Sequence, residues 1–368
     1  MLRKKKKGQD LSKILYLKPI KSDVLNKIIC YLFFVDLIII KKLMQSNSEL
    51  STNMIKYDFT YLSSDKKTNI HAIICYPKDE QYIGVIQVLH GKREYIERYL
   101  PFMEYLTTRG FIAVGHDHLG HGQSVQKKED HGYIGEPEPN DLLINDIHLL
   151  KQISQKKFPN LPYFMLGHSM GSYLLRHYIT LNSEGVSGII IMGSGFEDTL
   201  KVSLGMSLCQ VIAFFKGQRH VSKLITKLSY GKKFNRFDIT KKDIYNSWIT
   251  SDPEMAKINN EDTTRNYEFT LNAFIGMLQS TLYSCNPSNI AKVRKDLPVL
   301  FVSGGDDPIG NFGEGVRKSY NEFKKAGVKD VTIKIYEKDR HEVLNEVNRK
   351  EVFEFIGNWM VEKINVNK

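Results

Sequence analysis

The chain has 368 residues, 42% of them hydrophobic, which is enough to bury a large core and excludes a low-complexity or wholly disordered polypeptide. Its net charge is +11, but residues 1–53 hold 11 Lys or Arg against 4 Asp or Glu, so the remainder is only mildly basic and implies no nucleic-acid partner. Cys30, Cys75, Cys209 and Cys285 are widely spaced in mostly apolar surroundings and read as reduced core residues of a cytoplasmic protein.

Residues 1–53 form an N-terminal extension unlike the rest. A basic run at Arg3 to Lys7 precedes an apolar run over 28–40, which is too short for a spanning helix and carries Asp36. Lys41 and Lys42 follow it where a signal peptide would have a small-residue cleavage site. Three readings stand: a peripheral membrane anchor at the inner membrane face, a plain extension, or residues ahead of a true start at Met44 or Met54.

From residue 54 the pattern becomes regular. Apolar and alternating runs predict strands over 57–62 and 70–76 joined by a polar turn, and a strand over 83–89 buried on both faces. A helix over 99–109 stops at Gly110, a strand follows over 111–114, and the spacing of Leu143, Ile147, Leu150 and Ile153 predicts a helix over 141–156. Strands over 163–166 and 188–192 continue the alternation, which specifies a mainly parallel α/β sheet with helices on both faces and active residues at the carboxyl ends of strands.

Over 196–295 the alternation stops, and helices over 204–215 and 267–282 predict a helical cap inserted in a core made of residues 54–195 and 296–368. Met206, Leu208, Val211, Ile212, Phe214 and Phe215 either pack on the body or wall an acyl-chain pocket, with Lys216 and Arg219 beside it. Alternation resumes with a strand over 297–303, a helix over 313–326 and a strand over 331–336.

The chemistry centres on Gly167-His168-Ser169-Met170-Gly171, set between the strand over 163–166 and a helix-like run. A Gly-x-Ser-x-Gly turn holds its serine in a strained conformation that projects the hydroxyl above the sheet, so Ser169 is the candidate nucleophile. A serine needs a histidine base and an orienting carboxylate. Asp307, in the loop after the strand over 297–303, and His341, in the loop after the last strand, supply them in the order Ser, Asp, His. Pro308 and the Gly304-x-x-Asp307 spacing favour Asp307 over Asp306. His116, His118 and His121 crowd one loop, but no further carboxylate and histidine set completes a metal site.

The chain resembles α/β-hydrolases of the monoacylglycerol lipase and lysophospholipase type, similar to bacterial serine aminopeptidase-like hydrolases. The motifs are His90-Gly91 with Glu94, Asp117 to Ser124, the Ser169 turn, Asp307-Pro308-Ile309-Gly310 and His341 to Glu346. The resemblance implies Ser169 as nucleophile, His341 as general base and acid, Asp307 as orienting acid, and the backbone N–H groups of Met170 and Lys92 as oxyanion hole. Relatives carry small residues after His-Gly, where this chain has Lys92-Arg93, and two cations there could favour a phosphate-bearing substrate. The implied activity is hydrolysis of a lipid-like ester, monoacylglycerol or lysophospholipid, through an acyl-enzyme, with no cofactor and no metal. A small-ester esterase, a prolyl-type aminopeptidase and a non-catalytic ligand receptor are the alternatives.

Overall fold

The computed structural model describes residues 54–238 and 246–366. The apolar run over 28–40, Cys30 and the three readings of the extension lie outside the described residues.

Strands β1 (Met54–Leu62) and β2 (Asn69–Pro77) form an antiparallel hairpin, Met54 opposite Pro77 and Leu62 opposite Asn69. Its turn closes through the Ser63 N–H donating to the Thr68 carbonyl at 2.8 Å, while the Asp65 carboxylate accepts from the N–H groups of Lys67 and Thr68. There follow β3 (Gly84–Leu89), α1 (Leu100–Thr108), β4 (Phe111–His116), α2 (Pro139–Lys157), β5 (Tyr163–His168), α3 (Met170–Leu181) and β6 (Gly188–Met192). Then come, among the described residues, five α-helices with no strand between them: α4 (Thr199–Lys216), α5 (Lys223–Ser229), α6 (Pro253–Glu261), α7 (Leu271–Ser284) and α8 (Pro287–Ile290). The chain returns to the sheet with β7 (Val299–Gly304), α9 (Glu314–Lys325), β8 (Val331–Tyr336) and α10 (Arg349–Val366).

The strand order is β1-β2-β4-β3-β5-β6-β7-β8, antiparallel at β1/β2 and β2/β4 and parallel from β4 onward. This is the mainly parallel sheet with helices on both faces that the alternation predicts. Because side chains alternate along a strand, each central strand feeds two cores. Val85, Met165, Ile189 and Phe301 point into one, while Ile86, Phe164, Ile190 and Leu300 point into the other. The first core includes residues of α2, α3 and α7, and the second residues of α1 and α10.

The helix predicted over 204–215 begins five residues earlier, at Thr199, where the Asp198 carboxylate caps it, and the strand predicted over 57–62 begins at Met54. Two further elements differ in which residues they bury or where they start. In α2, Ile153 is 37% exposed and Ser154 takes the buried place, because Leu143, Ile147, Leu150 and Ser154 keep the i, i+4, i+7, i+11 spacing of one helical stripe and Ile153 falls beside it. Helix α7 begins later than 267: the Thr270 hydroxyl caps it, accepting from the Ala273 N–H, while the same residue's N–H donates to the Gly132 carbonyl.

Helix α2 also buries an acid. Asp146 is 1% exposed and accepts from the Ser63 hydroxyl at 2.7 Å and the Ser64 N–H at 2.6 Å, and burial pushes its carboxyl up to about 6. A folded-state value above the unfolded one makes this contribution complete below about pH 4 and lost as the pH rises through about 6. Asp146→Asn is therefore expected to flatten the fall in stability between pH 4 and 7.5 by on the order of 2 kcal/mol, as read from urea unfolding at both pH values.

Candidate active site

Strand β5 ends one residue before a turn that only a few residues can make. Ser169 has φ 51° and ψ −118°, a left-handed conformation that costs a non-glycine residue on the order of 1–3 kcal/mol. The surroundings hold it there: its N–H donates to the Met192 carbonyl at 3.0 Å, and its own carbonyl accepts from the Ser172 N–H and hydroxyl. The two flanking glycines are required by close approach. A Cβ at Gly167 would lie 2.4 Å from the Gly171 carbonyl oxygen, and one at Gly171 2.3 Å from that of Leu89.

The carboxyl ends of β7 and β8 bring Asp307 and His341 together. His341 Nδ1 donates to Asp307 Oδ2 at 2.9 Å, and Asp307 Oδ1 accepts from the Ile309 N–H at 2.8 Å. Both side chains are buried, so the carboxylate has fixed partners and the imidazole a fixed tautomer, with Nδ1 carrying the hydrogen. Asp306 points elsewhere, toward Arg236 at 3.4 Å. The His341 ring lies between those of His168 and Trp248, each with its centroid 4.7 Å away. Its loop is tied to the Trp248 segment by the Glu342 N–H donating to the Ile249 carbonyl at 2.7 Å.

Ser169, His341, Gly91, Lys92 and Met170 line one cavity of about 500 Å³. Met170 opens α3, so its N–H has no partner within the helix. Neither it nor the Lys92 N–H donates to any acceptor among the described residues. The loop carrying Lys92 is held by Glu94, whose carboxylate accepts from the Gly91 N–H at 2.6 Å, the Tyr99 hydroxyl at 2.7 Å and Arg98 at 2.7 Å.

Beneath this loop runs a buried charge network. Arg98 donates to Glu94, to both oxygens of Glu342 at 3.0 and 2.8 Å, and to Asn259 Oδ1, while Arg265 donates to the same Asn259 oxygen at 2.9 Å. Burial opposes charge on both acids, but His168 and Arg98 hold Glu94 well below the usual carboxylate range, and Arg98 with Arg265 lowers Glu342. Burial likewise opposes a charge on His168, which the facing Glu94 outweighs, raising it. His168 thus spends Nδ1 on Tyr99 and Glu94 and Nε2 on the His341 carbonyl, a hydrogen-bonding role. Removing Arg98 would strip two buried acids of the cation they share, leaving Glu94 to His168 at 3.3 Å and Glu342 to Arg265 at 3.5 Å. Arg98→Leu is expected to lower unfolding free energy by about 3–5 kcal/mol in urea titration, and Arg98→Lys, which cannot make the paired bonds, to restore only part.

The histidine-rich loop is knit to itself. His118 N–H donates to His90 Nε2 at 2.8 Å, His116 Nε2 and His118 Nδ1 are 3.0 Å apart, and burial pushes His116 and His121 down to about 3, so both are neutral. Among the described residues no group of three His, Cys, Asp or Glu could hold a metal ion.

The expected acyl wall needs correcting. Helix α4 packs on α7 through a single stripe that buries Cys209 and Ala213 and half-buries Leu208 and Ile212. Phe214 and Phe215, off that stripe, are 85% and 79% exposed. Arg219 pairs with Asp130 at 2.7 Å and lies over the Tyr133 ring, and neither it nor Lys216 lines the cavity. The apolar wall is built instead by Val202, Tyr173, Trp248, Met277, Leu278 and Ile309. Trp248 carried no signal in the sequence, since a lone aromatic in a helical insertion reads as packing.

The family model described as serine aminopeptidase, S33, matches residues 80–348. The chain is 25% identical to the monoacylglycerol lipase of Mycolicibacterium smegmatis over 282 residues, 76% of this chain and 88% of that one. The structure is similar to that of a highly thermostable carboxyl esterase from Bacillus coagulans in complex with glycerol, at 27% identity and TM-score 0.77, covering 84% of this chain and 99% of that one. It shares its fold with a soluble variant of monoglyceride lipase from Saccharomyces cerevisiae in complex with a substrate analog, at 20% identity and TM-score 0.67, covering 86% and 98%.

Proposed function

Because the chain belongs to the serine aminopeptidase S33 family and is an α/β-hydrolase of the monoacylglycerol lipase type, we propose that it is a serine carboxylic ester hydrolase acting on single-chain lipid esters, monoacylglycerol or lysophospholipid. The observation that carries this reading is the buried Asp307–His341 pair opening on the same cavity as the strained Ser169.

The chemistry follows from the roles these groups can take. His341 Nε2 accepts the Ser169 proton as the oxygen attacks the ester carbonyl, and Asp307 holds the imidazole in the needed tautomer and stabilises the imidazolium. The negative oxygen of the tetrahedral intermediate lies between the N–H groups of Met170 and Lys92, which are free to receive it. His341 returns the proton to the departing alcohol. Water, deprotonated by the same histidine, then releases the acid from Ser169. The scheme uses no cofactor.

The wall of Val202, Met277 and Leu278 supports a chain-bearing acyl group. Each buried methylene contributes about 0.8 kcal/mol, so p-nitrophenyl esters of about eight to twelve carbons are expected to exceed the acetate in kcat/KM by roughly two orders of magnitude. Leu278→Asn should flatten that dependence on length, whereas Phe214→Ser, on a side chain turned to solvent, should leave it within about twofold. Maximal activity on the acetate would make the protein a small-ester esterase. Maximal activity on proline or alanine naphthylamides would make it an aminopeptidase.

A further inference from the structure

The side chain of Lys92 stands apart from the other cations of the cavity. Its ammonium lies over three aromatic rings, 4.5 Å from the centroid of Phe274, 5.0 Å from Phe269 and 5.1 Å from Tyr230, and it donates to the Tyr230 hydroxyl at 3.5 Å. Phe269 and Phe274 are fully buried, so this charge rests against a dry surface. Among the described residues no carboxylate is within ion-pair distance of it. Arg93, by contrast, pairs with Glu268 at 3.1 Å and Arg265 with Glu342 at 3.5 Å. Lys233 has no ion pair among the described residues either, but its ammonium donates to the Pro308 carbonyl at 2.7 Å.

The acids of the cavity are committed elsewhere. Glu94 and Glu342 face Arg98, Glu197 accepts from the Tyr173 hydroxyl at 3.4 Å, and Asp262 accepts from the Thr264 N–H at 2.9 Å. An ammonium has three donors, and this one spends a single long bond on Tyr230. Cation–π contact stabilises the charge without neutralising it, which leaves donors and charge for an incoming anion. The same residue offers its backbone N–H beside Ser169, so an anion on the ammonium sits within one lysine side chain of the ester carbonyl.

We propose that Lys92 is an anion-recognising group of the substrate cavity, and that the preferred ester carries a second, negatively charged group, a phosphate or a carboxylate, close to its scissile bond. This rests on the ester hydrolase reading and narrows it: a neutral monoacylglycerol leaves the ammonium unpaired in the complex, whereas an acyl glycerol phosphate pairs it. Two sources of the anion share this chemistry, the leaving alcohol and the far end of a short acyl chain.

Four esters in two pairs separate these cases: a 1-acylglycerol beside the same 1-acylglycerol 3-phosphate, and a p-nitrophenyl half-ester of a dicarboxylic acid beside its methylated diester. The readout is the ratio of kcat/KM for the anionic ester to that for its neutral partner, measured in the parent, Lys92→Met and Lys92→Arg. A charge-assisted pair predicts a ratio of about ten or more in the parent, a fall to about one in Lys92→Met, and partial retention in Lys92→Arg. A raised ratio for the glycerol phosphate alone assigns the anion to the alcohol, and for the half-ester alone to the acyl group. Hydrolysis of both members of each pair with a parent ratio near one overturns this inference and leaves the hydrolase intact, as does an unchanged ratio in Lys92→Met. No hydrolysis of any ester by the parent, together with no fluorophosphonate labelling of Ser169, overturns both.

Discussion

Ser169→Ala is expected to fold like the parent and to lose at least about a thousandfold in turnover on any ester the parent cleaves. The two halves of that expectation have separate causes. The hydroxyl is the group that would bond to the substrate carbonyl; the described cysteines, Cys75, Cys209 and Cys285, do not line the cavity, and the other hydroxyls that do, such as Ser229, Thr263 and Thr281, do not sit on the strained turn that follows β5. What remains after its removal is the pair of free N–H groups and the binding surface. The fold, however, uses the Ser169 backbone, through its N–H on the Met192 carbonyl and its carbonyl on Ser172, and alanine keeps both bonds. The thermal midpoint should therefore move little, and a fluorophosphonate probe should label the parent and not the variant. Comparable turnover in the two proteins would dismiss Ser169 as nucleophile.

What could be read from the sequence, and what could not, divides along contact range. The continuous apolar runs that became β3 to β7 are legible because a strand buried on both faces needs no partner information to be recognised. The turn at Ser169 is legible because close backbone approach leaves a local demand for glycine at 167 and 171. The face each cap residue presents is a different matter. Helix α4 is apolar nearly all round, so its composition cannot say that Phe214 and Phe215 face solvent while Val202 reaches the cavity. That choice is made by α7, some 60 residues further along. Trp248 against His341, and Asn259 and Arg265 against Arg98 and Glu342, are likewise pairings across long separations that leave no periodic trace. Lys92 is the intermediate case, since the departure from small residues is visible in the sequence, while the ring cage that holds its ammonium is visible only in three dimensions.

The second large effect is expected at Asp307, and its neighbour is the control. Asp307→Asn keeps the size of the side chain and one carbonyl oxygen, but an amide facing His341 Nδ1 can present its NH₂ and favour the tautomer with hydrogen on Nε2. That tautomer cannot take the Ser169 proton, and the imidazolium also loses its facing negative charge, so kcat should fall by about a thousandfold to ten-thousandfold. Asp307 Oδ1 also accepts from the Ile309 N–H, a bond that the amide oxygen would claim, which leaves the NH₂ for the histidine and makes the wrong tautomer the favoured one. Asp306 is 28% exposed at its side chain and, among the described residues, its ion pair is with Arg236, itself more than half exposed, so the attraction there is largely screened. Asp306→Asn should cost less than about tenfold in kcat, with its backbone N–H still donating to the Asp339 carbonyl. Steady-state kinetics on one p-nitrophenyl ester with both variants gives the ranking. A larger loss at 306 than at 307 would mean that the 2.9 Å contact between Asp307 and His341 does not orient the base.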